Sequence, residues 1–316
     1  MTLSKFVKKD EKNNGPTLIL DCHNFVFRVL FIALSHSKKF HEDINETGFA
    51  YWKYLFTKSM MTTIKQFSPS NVIIATDSSS WRKDVYSLYK ANRKVSRDAS
   101  AVDFEKFFII MEEFFNDMKN TITNISFLKI DKCEADDIIA ILSKDVIKSN
   151  IVIVSTDKDL NQLLQYQNVK QYDPINKKYF NVTNPIQELN IKVLTGDAGD
   201  NVPGIMPKCG PVKAAKLINE GLITVTTNSV LMANYTRNRQ LIDFNFIPKE
   251  ISESIKNEYD KYSYKPLDGR KLFNFFIKHK LSAMLEEVQE LSDMLKRSSN
   301  CDIMNRETTT EEIINS

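Results

Sequence analysis

The 316-residue chain is 42% hydrophobic and 26% charged, enough to bury a substantial core divided between two domains. A formal net charge of only +3 excludes a polycation, so attraction to nucleic acid has to come from local charge asymmetry. Cys22, Cys133, Cys209 and Cys301 stand far apart with no Cys-x-x-Cys pair, which argues against a zinc ribbon or a disulfide scaffold and fits a reducing cytoplasm.

The chain opens with a polar leader, 1–15. Its Lys5, Lys8, Lys9 and Lys12 precede no apolar run before the Gly15-Pro16 turn, so no signal peptide is expected. The longest apolar stretch, Phe25 to Leu34, is broken by Arg28 and falls well short of the about 20 residues that span a bilayer, so no membrane partner is expected. The β-branched run at 17–21 predicts a first strand, with helix from there to about 67; Ser68-Pro69-Ser70 then introduces a second strand at 71–76. A basic, aromatic segment from Trp81 to Arg97 leads to a Phe-rich helix at about 102–120. A third strand near 125–130, an acid-led helix from Glu134 and a fourth strand at 151–155 follow. Val169–Tyr172 and Lys178–Val182, joined by Asp173-Pro174-Ile175-Asn176, predict a closing hairpin. Asn184-Pro185 bounds the first domain, 16–185. Helices and loops fill the second, 186–298, where Gly196, Gly199, Gly204 and Gly210 crowd into one loop of unusual backbone demands. Phe273, Phe275, Phe276 and Leu281 are core candidates there, and a polar tail, 299–316, closes the chain.

Three of the predicted strands lead directly into an aspartate: Asp21, Asp77 and Asp157. Parallel α/β sheets bind ligands beyond the carboxyl ends of their strands, so these carboxylates are expected to meet in one cleft. Acids gathered so closely raise one another's pKa unless a cation compensates, which implies a divalent-metal site. Glu134, Asp136 and Asp137 extend the set from the first turn of the acid-led helix. Helix N-termini favour acids by roughly 0.3–1 kcal/mol each, which accounts for one or two of these three. Asp157 and Asp159, two apart on the loop leaving the fourth strand, and Asp197 and Asp200 in the glycine-rich loop complete the constellation. None of His23, His36, His41 and His279 falls in an acidic motif, so the set suits Mg²⁺ or Mn²⁺ rather than zinc.

Taken in order, Leu20-Asp21, Thr76-Asp77, Glu134-Ala135-Asp136-Asp137, Ser155-Thr156-Asp157-Lys158-Asp159 and Gly196-Asp197-Ala198-Gly199-Asp200-Asn201-Val202-Pro203-Gly204 resemble the structure-specific 5′-nuclease (flap endonuclease) family. The likeness runs over about residues 17–218. Tyr86-Ser87-Leu88-Tyr89-Lys90-Ala91-Asn92-Arg93-Lys94 and the segment Asn238 to Pro248 are most similar to the branch formed by the RNases H of T-even bacteriophages. The resemblance implies an α/β fold with a PIN-like parallel-sheet core, a helical arch at about 81–101, and a mainly α-helical C-terminal domain carrying a helix-hairpin-helix element. It also implies two Mg²⁺ ions, replaceable by Mn²⁺, held directly or through water by Asp21, Asp77, Glu134, Asp136, Asp157, Asp159 and Asp200, with Asp137 and Asp197 as further members. In the two-metal scheme the ions, about 3.5–4 Å apart, stabilise the attacking and leaving oxygens of phosphodiester hydrolysis.

From Arg82 to Asp98, six cations stand against two acids, with Trp81, Tyr86 and Tyr89 interleaved, which offers charges for phosphates and rings for bases. By the resemblance, Arg82, Lys90 and Arg93 contact the scissile phosphate, Tyr86 stacks on a base and Lys94 adds to nucleic-acid binding. The loop Val202 to Ile218 resembles the family's hairpin, which holds duplex backbone through main-chain N–H groups; Gly204 and Gly210 belong to it, and Lys208, Lys213 and Lys216 reinforce it. Lys208-Cys209-Gly210 departs from the usual Gly-hydrophobic-Gly, and a side chain at the first position opposes φ > 0 and close phosphate approach. That departure leaves the family's monovalent cation in doubt here.

The implied activity is Mg²⁺-dependent 5′-to-3′ exonuclease and flap endonuclease cleavage with RNase H activity on RNA–DNA hybrid and on nicked, flapped or forked duplex. It would remove RNA primers and adjacent DNA during lagging-strand replication in the cytoplasm, the host's if the chain is of phage origin. A single-stranded-DNA-binding protein and a sliding clamp are the partners the resemblance implies. Two alternatives remain. A PIN-type single-strand ribonuclease shares an acidic α/β site but lacks the basic arch and glycine loop; a non-catalytic DNA-binding scaffold conflicts with seven or more carboxylates that repel DNA without metal.

Overall fold

The computed structural model describes residues 15–262 and 267–296, the side chains of 94–96 excepted. The leader up to residue 14, the tail at 299–316 and the Lys94 side chain lie outside the described residues. Short β-branched runs form β1 (Thr17–Asp21), β2 (Asn71–Thr76), β3 (Ser126–Lys129), β4 (Ile151–Val154), β5 (Val169–Asp173) and β6 (Lys178–Tyr179). They make one sheet in the order β3-β2-β1-β4-β5-β6, parallel except for the β5–β6 pair. The expected hairpin is therefore only the antiparallel edge of a parallel sheet.

Strand order reverses beside β1, where β2 lies on one side and β4 on the other. Such a switch point opens a crevice at the carboxyl ends of the strands. Register places Asp21 opposite Ala75 and Leu20 opposite Val154, so Asp77 and Asp157 leave their strands beside Asp21. The sheet thus does for the three aspartates what the sequence pattern predicts.

The helices follow as α1 (Cys22–Lys39), α2 (Thr47–Phe67), α3 (Arg82–Val85), α4 (Asn92–Asp98), α5 (Phe104–Thr121) and α6 (Ala135–Ile141), which runs on into a π turn at Leu142–Val146. After β6 come α7 (Pro185–Thr195), α8 (Pro211–Asn219), α9 (Ile223–Thr226), α10 (Ser229–Ile242), α11 (Lys249–Asp260) and α12 (Gly269–Lys278). Side chains alternate across the strands with a period of two. Leu18, Leu20, Val72 and Ile74 face α1, α2 and α5 around the fully buried Trp52; Ile19, Ile73 and Ile153 face α6 and α11.

Packing does not follow the expected division at residue 185. Leu272, Phe275, Phe276, Leu281 and Met284 join the first core, and Ile255 and Tyr259 join the second, so α11 and α12 are part of the sheet's own covering. Among the described residues, α7 to α10 build two separate small cores, one around Val193 and Leu241 that Tyr89 joins and another around Leu194, Ile205 and Leu217. Phe273, expected in the core, is 46% exposed because α12 turns its buried face to Leu272, Phe275 and Phe276. No helix among the described residues is long and apolar enough to cross a membrane.

Candidate metal and phosphate cleft

Asp21 ends β1 and caps α1, accepting a hydrogen bond from the Asn24 N–H; its other oxygen accepts one from Ser155 Oγ at 2.7 Å. Burial, then the nearby Asp77 and Asp157, push its carboxyl up to about 7. Burial followed by Asp157 and Asp21 also raises Asp136, on the first turn of α6, well above the usual carboxylate range. Asp21, Asp136 and Asp157 each offer an oxygen within 4.8 Å of the others'. They line an open cleft of about 930 Å³ together with Asp77 and Glu134.

Asp77 is held from two sides. His23 Nδ1 lies 2.9 Å from Asp77 Oδ2, and the Ala135 N–H donates to Oδ1 at 2.7 Å. Burial would raise this carboxyl, but the His23 contact, the Ala135 N–H and Lys90 together outweigh it and bring it down to about 2. His23 belongs to no acidic motif, and its place two residues after Asp21 is the only signal of it in the sequence.

Asp159, Asp197 and Asp200 form a second group, again with oxygens within 4.8 Å of one another. Lys192, which no sequence motif marks, bridges Asp159 and Asp197, 2.6 Å from the latter's Oδ2. Burial lifts Asp159 to about 6 even against that ammonium. Asp200 accepts from Arg93 Nη2 at 2.7 Å and from the Tyr89 hydroxyl at 3.0 Å, with Lys90 Nζ 3.7 Å away.

Two expected members are placed elsewhere. Asp137 is fully buried, and its oxygens accept from Trp81 Nε1, both Arg82 terminal nitrogens and the Glu134 N–H at 2.8–3.1 Å. It is the N3 residue of the capping box that Glu134 opens on α6, fully buried behind four hydrogen bonds and absent from the cleft lining, which sets it apart from the metal-site acids. Arg82, expected at the scissile phosphate, is 2% exposed and donates to Asp137, Glu134 and the Leu241 carbonyl. It locks Glu134 to α10 and cannot reach a substrate.

Lys90 and Arg93 do face the cleft: Lys90 Nζ pairs with Glu134, and Arg93 stays exposed. Burial lowers the Lys90 pKa, but Glu134 and Asp200 outweigh it and the net shift is upward. The segment expected as an arch consists of α3, a turn and α4, strapped to the glycine loop. Lys90 N–H donates to the Asp200 carbonyl, Asn92 to Ala198 O, and Asn201 to Leu88 O. Tyr86 does not stand free for base stacking; it packs against Leu241 and its neighbours with Arg237 5.3 Å over its ring. Phe27, Phe31 and Phe108 form a further cleft wall, although their helical spacing marks them only as core.

In the glycine loop, Gly196 needs its freedom: its φ is +76, and the Val202 carbonyl oxygen lies 2.4 Å from where a Cβ would sit. Gly204 sits against the Thr195 carbonyl, where a Cβ would lie at 2.8 Å, so it serves packing of the loop on α7. Lys208 adopts φ +54 despite its side chain, which corrects the expectation that a non-glycine would be barred from that conformation there. Gly210 has an ordinary φ of −81 and open space about it. Lys208, Lys213 and Lys216 are exposed, and Arg237 joins the loop in lining a concavity of about 600 Å³.

Residues 16–192 match the family described as 5′-3′ exonuclease, N-terminal resolvase-like domain. The chain belongs to this 5′-3′ exonuclease family. Residues 212–291 match the C-terminal region of T4 RNase H. Ribonuclease H of Enterobacteria phage T4 is 29% identical over 286 residues, covering 82% of this chain and 92% of that protein. Flap endonuclease Xni of Shewanella piezotolerans is 31% identical over 215 residues, 64% of this chain and 75% of the relative. These relatives are nucleases, and so is this member of the 5′-3′ exonuclease family. Bacteriophage T5 5′-exonuclease with bound zinc shares the fold at a TM-score of 0.59 and 20% identity, over 78% of this chain and all of that one. A T5 flap endonuclease complex with DNA and metal ions aligns at 0.55 and 17% identity, over 88% and 99% of the two chains.

Proposed function

We propose that this 5′-3′ exonuclease family member is a Mg²⁺-dependent 5′-to-3′ exonuclease and flap endonuclease with RNase H activity, acting on branched or nicked duplexes and on RNA–DNA hybrid. The observation that carries it is the meeting of Asp21, Asp136 and Asp157 at the switch point, with Lys90 and Arg93 beside them. The donor set fits hard divalent cations: all oxygen, and crowded enough that burial and mutual repulsion raise Asp21 and Asp136 above the usual carboxylate range, a cost that a bound cation relieves. Asp21, Asp77, Asp136 and Asp157 would hold one ion, Asp159, Asp197 and Asp200 another, with Mn²⁺ as a substitute. When bound, such ions supply an activated water and charge stabilisation for phosphodiester hydrolysis.

The protein's own part is placement. His23 and the Ala135 N–H orient Asp77; Ser80, Arg82 and Tyr89 fix Glu134; Lys90 and Arg93 are positioned to meet the negative charge that grows on the phosphate. The α7–loop–α8 unit is read as a helix-hairpin-helix that holds duplex backbone with Lys213 and Lys216. Primer removal in lagging-strand replication, in a host cytoplasm, with a single-stranded-DNA-binding protein and a sliding clamp, completes the reading.

The test is cleavage of end-labelled substrates with and without Mg²⁺: a 5′ flap, a duplex with a 5′ RNA segment, and unstructured RNA. Metal-dependent release from the first two supports the proposal. Preference for unstructured RNA would point to a PIN-type ribonuclease, and tight binding with no products in either Mg²⁺ or Mn²⁺ to a scaffold.

A further inference from the structure

Away from the cleft, four lysines converge on a separate concavity of about 320 Å³ where the start of α2, the first half of α5 and the end of α12 meet. Phe49 and Ile110 give it an apolar floor; Lys53, Lys106, Lys278 and Lys280 surround it. The acids nearby do not match them. Asp117 is committed to Lys278 Nζ at 2.6 Å and to His279 Nε2 at 3.0 Å, and Glu46 lies 3.9 Å from Lys106. Lys53 and Lys280 have no carboxylate within 4.0 Å among the described residues. Burial lowers the Lys53 pKa, Glu113 and Asp117 act against this, and Lys278 and Lys280 reinforce it, so the net shift is downward. Ammonium groups crowded over an apolar floor are unfavourable until an anion joins them.

This pocket backs on to the cleft. Phe107 of α5 lies 6.4 Å from Phe27, which lines the cleft, and 5.2 Å from Phe49, which lines the pocket. Phe107 and Phe49 are buried, so a strand rising about 3.4 Å per nucleotide follows the surface around this layer and needs at least about four nucleotides to reach the pocket.

We propose that the pocket is a second phosphate-binding site, which takes a backbone phosphate of a substrate strand leaving the acidic cleft past Phe27 and Phe108, with Lys53 and Lys280 as its principal cations. The proposal rests on the reading of the chain as an enzyme of branched nucleic acid. The same chemistry accepts a free phosphate ion, and the experiment separates the two sources.

The variants are Lys53→Ala/Lys280→Ala and, should that pair fold poorly in a thermal melt, Lys53→Gln/Lys280→Gln. Binding of the full chain is measured in Ca²⁺ across a salt series, on a flapped duplex and on the same duplex with its arms trimmed to two nucleotides. Single-turnover cleavage at saturating enzyme and a titration with inorganic phosphate, followed through the His279 imidazole resonances, accompany it. For the long-armed substrate the double variant is expected to bind about tenfold more weakly, with the slope of log K against log salt shallower by roughly 1.4–1.8. The trimmed substrate and the saturating cleavage rate should be unaffected. Equal affinity of parent and variant on both substrates, or equal loss on both, overturns the site. His279 resonances that move with inorganic phosphate while strand binding ignores the substitutions also overturn it, leaving a free-anion site. Failure of the parent to cleave either substrate sinks the nuclease reading alone, because the pocket is judged on binding.

Discussion

Two neighbouring carboxylates on one helix turn, Asp136 and Asp137, have opposite fates, and the difference lies in what each oxygen touches. Asp136 lines the cleft with an oxygen near Asp21 and Asp157, whereas Asp137 is buried and accepts from Trp81, Arg82 and the Glu134 N–H. Asp136→Asn and Asp157→Asn are expected to abolish cleavage without loss of fold. An acid whose pKa is raised by folding binds its proton more tightly in the folded chain, so stability falls as pH rises from about 3.9 toward about 7, the Asp21 value, and is flat above it. Asp21→Asn and Asp136→Asn should therefore raise the metal-free Tm at pH 8, through a gain of at most about a few kcal/mol in unfolding free energy, and have a smaller effect at pH 5. A Tm lower than the parent's at pH 8, without metal, would contradict the crowding argument. Arg82→Met, which leaves the buried Asp137 charge without its partner, should cost about 3–5 kcal/mol in urea unfolding. Lys90→Ala should cost less than Arg82→Met, since Arg82, Ser80 and Tyr89 still hold Glu134, and should lose about 10²–10³ in single-turnover rate. The sequence displayed the acids but not these partners: charge patterns mark candidates, and only the fold shows that Arg82 points inward to Leu241 while Lys90 points to the cleft.

Secondary-structure elements were legible wherever hydrophobic period and punctuation agreed. The strand runs and their terminal aspartates read correctly because a parallel sheet buried on both faces demands near-continuous β-branched residues. What failed depended on contacts distant in sequence. The packing of α11 and α12 against the sheet was not legible, because an amphipathic helix does not say which core it covers. In the glycine loop, Lys208 occupies the left-handed region that a glycine holds without strain. Lys208→Gly should stabilise the chain by up to about 1 kcal/mol in thermal or urea melts, the strain of that conformation outweighing the entropy glycine adds to the unfolded chain. Gly204→Ala should destabilise, since its Cβ would meet the Thr195 carbonyl. On α8, Lys216→Ala should weaken duplex affinity and make log K against log salt shallower by roughly 0.9, with the saturating cleavage rate unchanged. A lower saturating rate for Lys216→Ala would move that lysine into the chemistry.

At the scale of the molecule, two acidic groups sit on parts of the fold that are far apart in sequence: one at the sheet's switch point, the other between the loop after β4 and the glycine loop after α7. Ions that prefer regular octahedra suit carboxylates fixed this way, and Ca²⁺, with longer and irregular coordination, should bind and inhibit. Competition of Ca²⁺ against Mg²⁺ in the flap assay checks this; efficient turnover in Ca²⁺ alone would contradict it.

The bond from Arg82 to the Leu241 carbonyl, together with the pairing of β1 to β4, bears on how such an enzyme is made. Asp21 is synthesised early, but β4, its neighbour in the sheet, emerges only after residue 151, and the support that fixes Glu134 waits for residue 241. At roughly 5–20 residues per second, a ribosome carries an unfinished and unarmed nuclease for many seconds. A chain released before residue 241 lacks the carbonyl that anchors Arg82, and with it part of the support of Glu134, so such a partial product is expected to cut poorly; assay of a chain ended there checks this.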